Sequence, residues 1–398
     1  MKTFLFGVVV FACVTMAFLI ILTAQETDLF TQGMAFYQSG QLGEVIDTFQ
    51  QFLVENPQSD HAAEGRYRIA NSYHQMGNLD QAIEGYNEVL SFHSDSEFAD
   101  DASFLIANVY QGKGELERAI QGYESFLSQY SQSEYTDDAR FLIANAYHNK
   151  GELDIALNQY ESLLTEMSDS PFAKDARFQE VYAYYQKGDL SEVDQRAEEY
   201  LSLYPVSEFT DDVRYYQAHM FHQKGELDSA IPKYEEFLKL HPASNFADDV
   251  QYLLGNAYHG KGMMDQALEN FQKLLSLHPG SEYTDEAEYL TANALQLNGV
   301  AAEAIKKYEE YLTRYPNSSF QEQIEYSIGE AYYQLSSWLQ AAEKMEAFMD
   351  QYPQSPQLPH AKLIRGISLM EKSRQLRDPM LPPELVVEAT AELYAQSG

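Results

Sequence analysis

The sequence has few of the residues that build disulfide frameworks, metal sites or thiol nucleophiles. Its 398 residues include one cysteine, Cys13, which lies inside an apolar run. The soluble part therefore has no disulfide framework, no CxxC zinc site and no thiol nucleophile. The sequence also lacks HExxH, GxSxG and a complete GxxxxGK[ST] loop. We predict that the chain is not an enzyme, with no catalytic residue, no metal site and no cofactor.

Positive charge is scarce. The chain has 26 basic and 61 acidic residues, and its formal net charge is -35. Such a chain repels phosphate backbones and anionic membrane surfaces. We therefore predict no nucleic-acid partner.

One long apolar run stands at the N-terminus, TFLFGVVVFACVTMAFLIILTA at residues 3–24, preceded by Lys2. It is longer than the core of a usual signal peptide and reaches the ~20 residues that span a bilayer. We predict that residues 1–24 are a transmembrane anchor, or alternatively a cleaved signal peptide. With Lys2 on the cytoplasmic side, the remainder is expected outside the cytoplasm, either anchored to the membrane or secreted to the periplasm.

A 37-residue period organises the rest of the chain. Glycines recur at that interval, and Ser336 takes the ninth place. The glycines are Gly40, Gly77, Gly114, Gly151, Gly188, Gly225, Gly262 and Gly299. On both sides of each glycine, apolar residues recur at spacings of three and four, which predicts two amphipathic helices joined by a tight turn. A single hairpin cannot bury its apolar faces, so the hairpins are expected to stack.

These repeats predict the domain organisation. Residues 25–370 hold nine hairpins and a tenth first helix. Residues 371–398 are expected to form a C-terminal segment with a helix from Pro383, which caps the stack or, alternatively, docks to a partner. The fifth unit fits the pattern least well, because Val181 and Val193 replace small residues and Ala197 replaces a ring. Its packing is expected to be looser or bent.

The stretch YLLGNAYHGKGMMDQALENFQKLLSLHP, Tyr252 to Pro279, resembles a tetratricopeptide repeat (TPR). The resemblance rests on one small residue, two rings, an alanine and a closing proline, which are Gly255, Tyr258, Phe271, Ala267 and Pro279. It implies an all-α, right-handed superhelical solenoid with a concave groove that binds protein or peptide ligands. The period of 37 residues departs from the 34 of the family.

The connectors between units, such as YPVSEFTDD and HPASNFADD, resemble those of bacterial envelope TPR proteins. These are the outer-membrane β-barrel assembly lipoprotein and the Tol-Pal coordinator. The resemblance implies a scaffold or adaptor in cell-envelope assembly or maintenance. The alternative is a periplasmic protein that binds polysaccharide or peptidoglycan, because its many tyrosines would stack on sugars.

Serine and histidine recur at fixed places in the repeat, and both are expected to have structural roles. A serine closes each unit, and Ser is a preferred N-cap, so these serines are expected to begin helices. Histidines such as His74 and His148 occupy similar places in their hairpins. Packed helices lie ~8 to 10 Å apart, so equivalent histidines of adjacent units are too distant to share a metal ion.

A polar and aromatic stripe on the first helices is the candidate binding groove. It combines rings, asparagines and histidines at spacings of three and four, which place them on one helix face. The candidates are Phe104, Asn108, Phe141, Asn145, Tyr252, Asn256, Asn71, Asn293, His74, His148 and His259. Asparagine can both donate to and accept from a peptide backbone, while rings take up side chains. In the alternative interpretation, the rings pack between repeats and the asparagines join one repeat to the next.

Overall fold

The computed structural model of the protein describes residues 28–376, and this range contains nineteen α-helices and no strand. The helices are α1 (28–38), α2 (Leu42–Glu55), α3 (Ala62–Gln75), α4 (Leu79–Phe92), α5 (Ala99–Gly112), α6 (Leu116–Gln129), α7 (Thr136–Asn149), α8 (Leu153–Glu166), α9 (Ala173–Lys187), α10 (Leu190–Leu203), α11 (Thr210–Gln223), α12 (Leu227–Leu240), α13 (Ala247–Gly260), α14 (Met264–Leu277), α15 (Thr284–Leu297), α16 (Ala301–Arg314), α17 (Gln321–Gln334), α18 (Trp338–Gln351) and α19 (Leu358–Leu376). The predicted all-α repeat fold is confirmed.

Each hairpin turn uses a backbone conformation that favours glycine. The eight turn glycines have φ between 71° and 80°, and Ser336 has φ 55°. At the second turn, the N–H of Asn78 donates to the carbonyl oxygen of Tyr73 at 2.9 Å, and the N–H of Gly77 donates to His74. This pair of bonds is the Schellman closure of a helix C-terminus. The 37-residue glycine period therefore marks the turns, as predicted.

The chain divides into two compact units, with the boundary between Ala183 and Tyr184. The boundary falls in α9, the first helix of the hairpin whose sequence fits the repeat least well. Val181, Val193 and Ala197 are all fully buried. Within each unit, helices pack mainly on the helices before and after them in sequence, such as α5 on α6 and α14 on α15. This arrangement is typical of a repeat solenoid.

Small residues on the first helices let the second helices approach closely. A methyl group added to Gly255 would lie 2.5 Å from Phe271 Cε1, so the ring occupies that space. In the third hairpin the small residues lie on both helices, and a methyl group on Gly122 would lie 2.8 Å from the Cβ of Ala107. Close packing of this kind fills the core of each hairpin.

Stacked rings join the first helices of several hairpins to the connectors that follow those hairpins. Phe104 stacks on Tyr135 with ring centroids 4.7 Å apart and an angle of 11° between the planes. The two rings of each pair are 31 residues apart in sequence, and the contact recurs along the chain. The further pairs are Tyr67 with Phe98, Phe141 with Phe172, Tyr215 with Phe246, Tyr252 with Tyr283, and Tyr289 with Phe320. These pairs fix the register between neighbouring hairpins.

The connector serines lie before the helix N-caps, so the interpretation that they cap helices directly was wrong. Helix α7 begins at Thr136 and its N-cap is Tyr135, whose side chain makes no capping bond. Instead, Ser133 Oγ accepts from the N–H of Tyr135 at 3.3 Å and donates to Asp100 at 2.7 Å. The serine therefore shapes the turn before the helix and ties it to the preceding unit.

Charged side chains link successive hairpins near their turns. Lys113 Nζ lies 2.7 Å from Asp80, and Lys150 Nζ lies 3.2 Å from Glu117. Exposed ion pairs of this kind add little stability each. Within residues 28–376, no helix is long and apolar enough to cross a bilayer. The predicted anchor at residues 1–24 and the predicted helix from Pro383 lie outside the described residues, and the domain boundaries at 24 and 370 stay predictions.

Candidate functional site

The predicted groove residues lie on one side of the first helices, which we call the first-helix face. In α7 this face carries Asp138, Phe141, Asn145 and His148. In α5 the equivalent residues are Asp101, Phe104, Asn108 and Gln111. Spacings of three and four in a helix place such side chains on the same face.

The rings of this face are used in packing. Phe104 is 6% exposed and stacks on Tyr135, and Tyr252 is 8% exposed and stacks on Tyr283 at 4.4 Å. Phe141 is half-buried and stacks on Phe172 at 5.0 Å. These contacts are those of the alternative interpretation, in which the rings join repeats. Only the exposed fraction of each ring is available to contact a ligand, and for Phe104 and Tyr252 this fraction is below a tenth.

The asparagines of the third and fourth hairpins are held by tyrosines of the second helices. The hydroxyl of Tyr160 donates to Asn145 Oδ1 at 2.5 Å. The hydroxyl of Tyr123 lies between two acceptors, Asn108 Oδ1 at 2.5 Å and Gln111 Oε1 at 2.8 Å. Both asparagines are half-buried. Their Nδ2 groups make no hydrogen bond within residues 28–376. Each of these side chains therefore keeps two unused N–H donors.

The other predicted asparagines have different surroundings. Asn71 Oδ1 accepts from Gln75 at 2.6 Å in the same helix. Asn293 Oδ1 lies 2.8 Å from His259 Nε2, a contact that joins α13 to α15. Asn256 lies beside the hydroxyl of Tyr252 and is half-buried.

The predicted histidines are also engaged with rings. His74 Nδ1 lies 3.4 Å from the hydroxyl of Tyr86, and burial lowers the pKa of His74. His148 is buried, and its ring stacks on Tyr182 with centroids 5.5 Å apart. In the part of the chain that the structure describes, no group of histidine, cysteine, aspartate and glutamate is placed to hold a metal ion.

Carboxylates in the first turn of the first helices make the face acidic. Burial raises the pKa of Asp101, Asp138, Asp212 and Asp249. Hydrogen bonds from Tyr67 and Tyr135 partly offset this effect at Asp101. Asp138 makes no ion pair within the described range. A half-buried carboxylate without a cation favours a ligand that supplies one.

The stretch GNAYHGK, residues 255–261, has the glycine and lysine spacing of a phosphate-binding loop. It is followed by Gly262 rather than by Ser or Thr. Residues 255–260 lie inside α13, so their backbone forms part of a helix and not a loop. The stretch is therefore not a phosphate cradle of the kind that a free glycine-rich loop provides.

The contacts between second-helix tyrosines and first-helix asparagines were not predicted from the sequence. Second-helix rings were interpreted only as packing residues between hairpins. A signal was present, because Tyr123 and Tyr160 occupy a position where Phe49 and Phe271 stand in other units. All four rings are fully buried, so a hydroxyl at this position needs a hydrogen-bond partner.

The fold and the repeat pattern define a tetratricopeptide repeat protein. A tetratricopeptide repeat family model matches residues 64–96 and 101–133. A second family model, YfiO, described as an outer membrane lipoprotein, matches residues 144–223, 210–298 and 291–393. Because these overlapping segments cover more than half of the sequence, the chain belongs to the YfiO family. Tetratricopeptide repeats generally act as protein-interaction scaffolds. This chain therefore belongs to the general class of protein-interaction scaffolds.

One solved structure supports the fold, and a second is similar in sequence over most of its length. The C-terminal part of a TPR repeat-containing protein from Cytophaga hutchinsonii is 16% identical, with a TM-score of 0.53. That match covers 65% of this chain and 98% of the other. A tetratricopeptide repeat protein from Parabacteroides merdae is 17% identical, with a TM-score of 0.42, over 68% of this chain and 98% of the other. No curated protein matches the sequence.

Proposed function

We propose that this chain is a non-enzymatic protein-interaction scaffold on the extracytoplasmic side of a bacterial membrane, acting in cell-envelope assembly or maintenance. The observation that carries the proposal is the match to a family described as an outer membrane lipoprotein over residues 144–393. The apolar run at residues 3–24, with Lys2 before it, agrees with a location outside the cytoplasm.

The first-helix face is the proposed binding surface. It offers the unused N–H donors of Asn108 and Asn145 and the unpaired carboxylate of Asp138. Asn256 and His259 offer further half-buried polar groups in the second compact unit. Polar groups that a fold leaves with spare hydrogen-bonding capacity, on an otherwise well-packed surface, are suited to hold a partner.

The sugar-binding alternative receives less support from the packing. It was motivated by the abundance of tyrosine, but many of these rings are fully buried in the cores of the hairpins. They include Tyr86, Tyr123, Tyr160, Tyr200, Tyr234, Tyr308 and Tyr311. A buried ring is not available to stack on a sugar.

Location is tested by reporter fusions at the C-terminus. An alkaline phosphatase fusion should be active, because this enzyme folds only outside the cytoplasm, whereas a cytoplasmic reporter at the same place should be inactive. N-terminal sequencing of the mature protein separates the two forms, since a chain beginning at Gln25 has lost its signal peptide. Activity of the cytoplasmic reporter alone would contradict the proposed location.

Scaffolding is tested by photo-crosslinking in intact cells. A photoreactive residue in place of Gln111, on the first-helix face, should give discrete crosslinked protein bands. The control places the same residue at Glu124, which is exposed on α6. Crosslinks to glycan strands at Gln111, or equal crosslinks at both sites, would contradict a protein partner on this face.

A further inference from the structure

A groove between successive second helices recurs at equivalent positions of the repeat. In the seventh hairpin it lies between α12, α13 and α14 and has a volume of about 420 Å³. Each of its ten lining residues stands five periods of 37 residues after a residue that lines a groove between α2, α3 and α4. We call the two grooves groove seven and groove two. The residues of groove seven that matter below are Leu238, Lys239, Gln251, Leu254, Asn270 and Lys273.

Groove two contains an ion pair of its own. Arg66 of α3 lies 2.8 Å from Glu88 of α4, and both residues line the groove. The same two positions of the sixth hairpin hold Arg214 and Glu236, which pair at 2.9 Å. In groove seven an amide replaces the arginine and a lysine replaces the glutamate. Groove seven therefore differs from groove two in its charge and in its hydrogen-bonding groups.

These replacements leave polar atoms of groove seven without partners. Gln251 is buried, and its Nε2 donates to Asn270 Oδ1 at 2.7 Å. Its Oε1 makes no hydrogen bond within residues 28–376. Lys239 forms no ion pair with any carboxylate of the described residues, and it is exposed. The groove therefore has a free cation and a free hydrogen-bond acceptor.

The two glutamates that line groove seven already have partners. Glu235 accepts a hydrogen bond from the hydroxyl of Tyr258 at 2.5 Å. Glu269 lies 2.7 Å from Lys273, four residues later in the same helix. Lys239 is thus the charged group that remains to pair with a ligand, and its charge favours a carboxylate.

Exposed leucines flank this lysine and its groove. Leu240 and Leu277 are the last residues of α12 and α14, and they are 50% and 66% exposed. Leu238 and Leu254 line the groove between these two helices. The last residues of α6 and α8 are polar. Single exposed leucines are ordinary, but leucines on both sides of a groove form a surface that a partner can cover.

We propose that groove seven binds an acidic amphipathic helix of a partner protein. The helix lies between α12 and α14, its apolar residues contact Leu240 and Leu277, and one of its carboxylates pairs with Lys239. One helix can supply both kinds of contact, because residues three and four apart share a face and acidic residues can flank that face. This inference rests on the proposed scaffold function and adds to it a second binding surface, on the second helices.

The first test measures the affinity of the purified full chain for a synthetic helix at ~0.15 M salt, where the Debye length is ~8 Å. The fluorescein-labelled probe has leucine and alanine on one face and glutamate beside that face, and its counterpart has lysine instead of glutamate. Wild type should bind the acidic helix in preference to the basic one. Lys239→Glu with Lys273→Glu should weaken binding of the acidic helix about tenfold and reverse the preference. The control, Lys306→Glu, makes the same charge change on α16 outside groove seven and should keep the preference.

Two further variants test the apolar contact and the shape of the groove. Leu240→Ser with Leu277→Ser should weaken binding about tenfold, because apolar area no longer becomes buried. The matched control is Leu297→Ser, which changes an exposed leucine at the turn of the eighth hairpin and should leave affinity unchanged. Gln251→Arg with Lys273→Glu installs the ion pair of groove two, so binding should be lost while the melting temperature is retained.

The outcomes distinguish the possible occupants of groove seven. If wild type does not bind the acidic helix, or if the lysine or leucine substitutions leave its affinity unchanged, the proposed site is wrong. If wild type sediments as a dimer that the leucine substitutions dissociate, the occupant is a second copy of this chain and the partner helix is wrong. If phosphatidylglycerol vesicles bind with the same dependence on the variants, the protein partner is wrong.

Failure of this inference is distinguishable from failure of the proposed function. Crosslinking at Gln111 tests the proposed function on the first-helix face, and Gln111 does not line groove seven. Protein crosslinks at Gln111 together with no binding at groove seven would refute this inference alone.

Discussion

At the scale of single residues, the ninth turn departs from the pattern of the others. Ser336 has φ 55°, in the left-handed region where eight other turns have glycine. A residue with a Cβ is strained there by roughly 1 to 2 kcal/mol. Its hydrogen bonds match those of the glycine turns, since the N–H of Ser337 donates to Tyr332 at 2.9 Å. The turn therefore forms at a local cost in conformational energy.

Ser336→Gly should stabilise the protein by about 1 kcal/mol, because the strain disappears and only part of it is offset by the greater freedom of glycine in the unfolded chain. The measurement is the free energy of unfolding in urea. The matched control is Gly262→Ser, in a turn with φ 74° where an added Cβ meets nothing within 4 Å. It should destabilise by a similar amount. A neutral result at both sites would show that turn strain is not a determinant of stability.

At the scale of helices and hairpins, much of the structure could be predicted from the sequence. Turn positions follow from the glycine period, because few residue types adopt positive φ. The contacts between polar groups could not be predicted, because spacing shows which residues share a face but not which atoms meet. The bond between Tyr123 and Asn108 joins two helices, and the stack of Phe104 on Tyr135 joins a helix to the next connector. Both depend on how the helices approach each other.

The thermal stability of the protein should depend on pH, because the carboxylate of Asp138 in the first turn of α7 is partly buried. Burial raises the pKa of Asp138 above its ordinary range. A carboxyl with a raised folded-state pKa destabilises the fold when ionised, and this destabilisation is relieved as the pH falls through the raised pKa towards the ordinary value of about 3.9. Asp138→Asn should therefore raise the melting temperature at pH 7, and the difference from wild type should shrink as the pH approaches 4.

The control for this prediction is Asp95→Asn, an exposed connector residue, which should change the melting temperature little at either pH. A gain for Asp138→Asn that is equally large at pH 4 would contradict the ionisation argument.

At the scale of the whole molecule, the repeat makes the stack tolerant of changes in length by complete units. Stability in a solenoid is the sum of the hairpins and their interfaces with neighbours, so a unit can be removed if the new neighbours fit. Fit requires the same ring stack, the same serine contact and the same turn register on both sides of the deletion. The described contacts show that these features recur with the 37-residue period.

Removal of residues 133–169 should leave a folded helical protein. After this deletion Phe172 takes the place of Tyr135 and can stack on Phe104, since Phe172 already stacks on Phe141 in the same geometry. Ser170 likewise replaces Ser133 ahead of the next first helix. Removal of residues 133–150 deletes α7 alone and leaves α8 without its partner. Circular dichroism melts should show one cooperative transition for the complete-unit deletion and a broad, early one for the half-unit deletion. Equal loss of cooperativity in both would mean that the 37-residue unit is not the module that stacks.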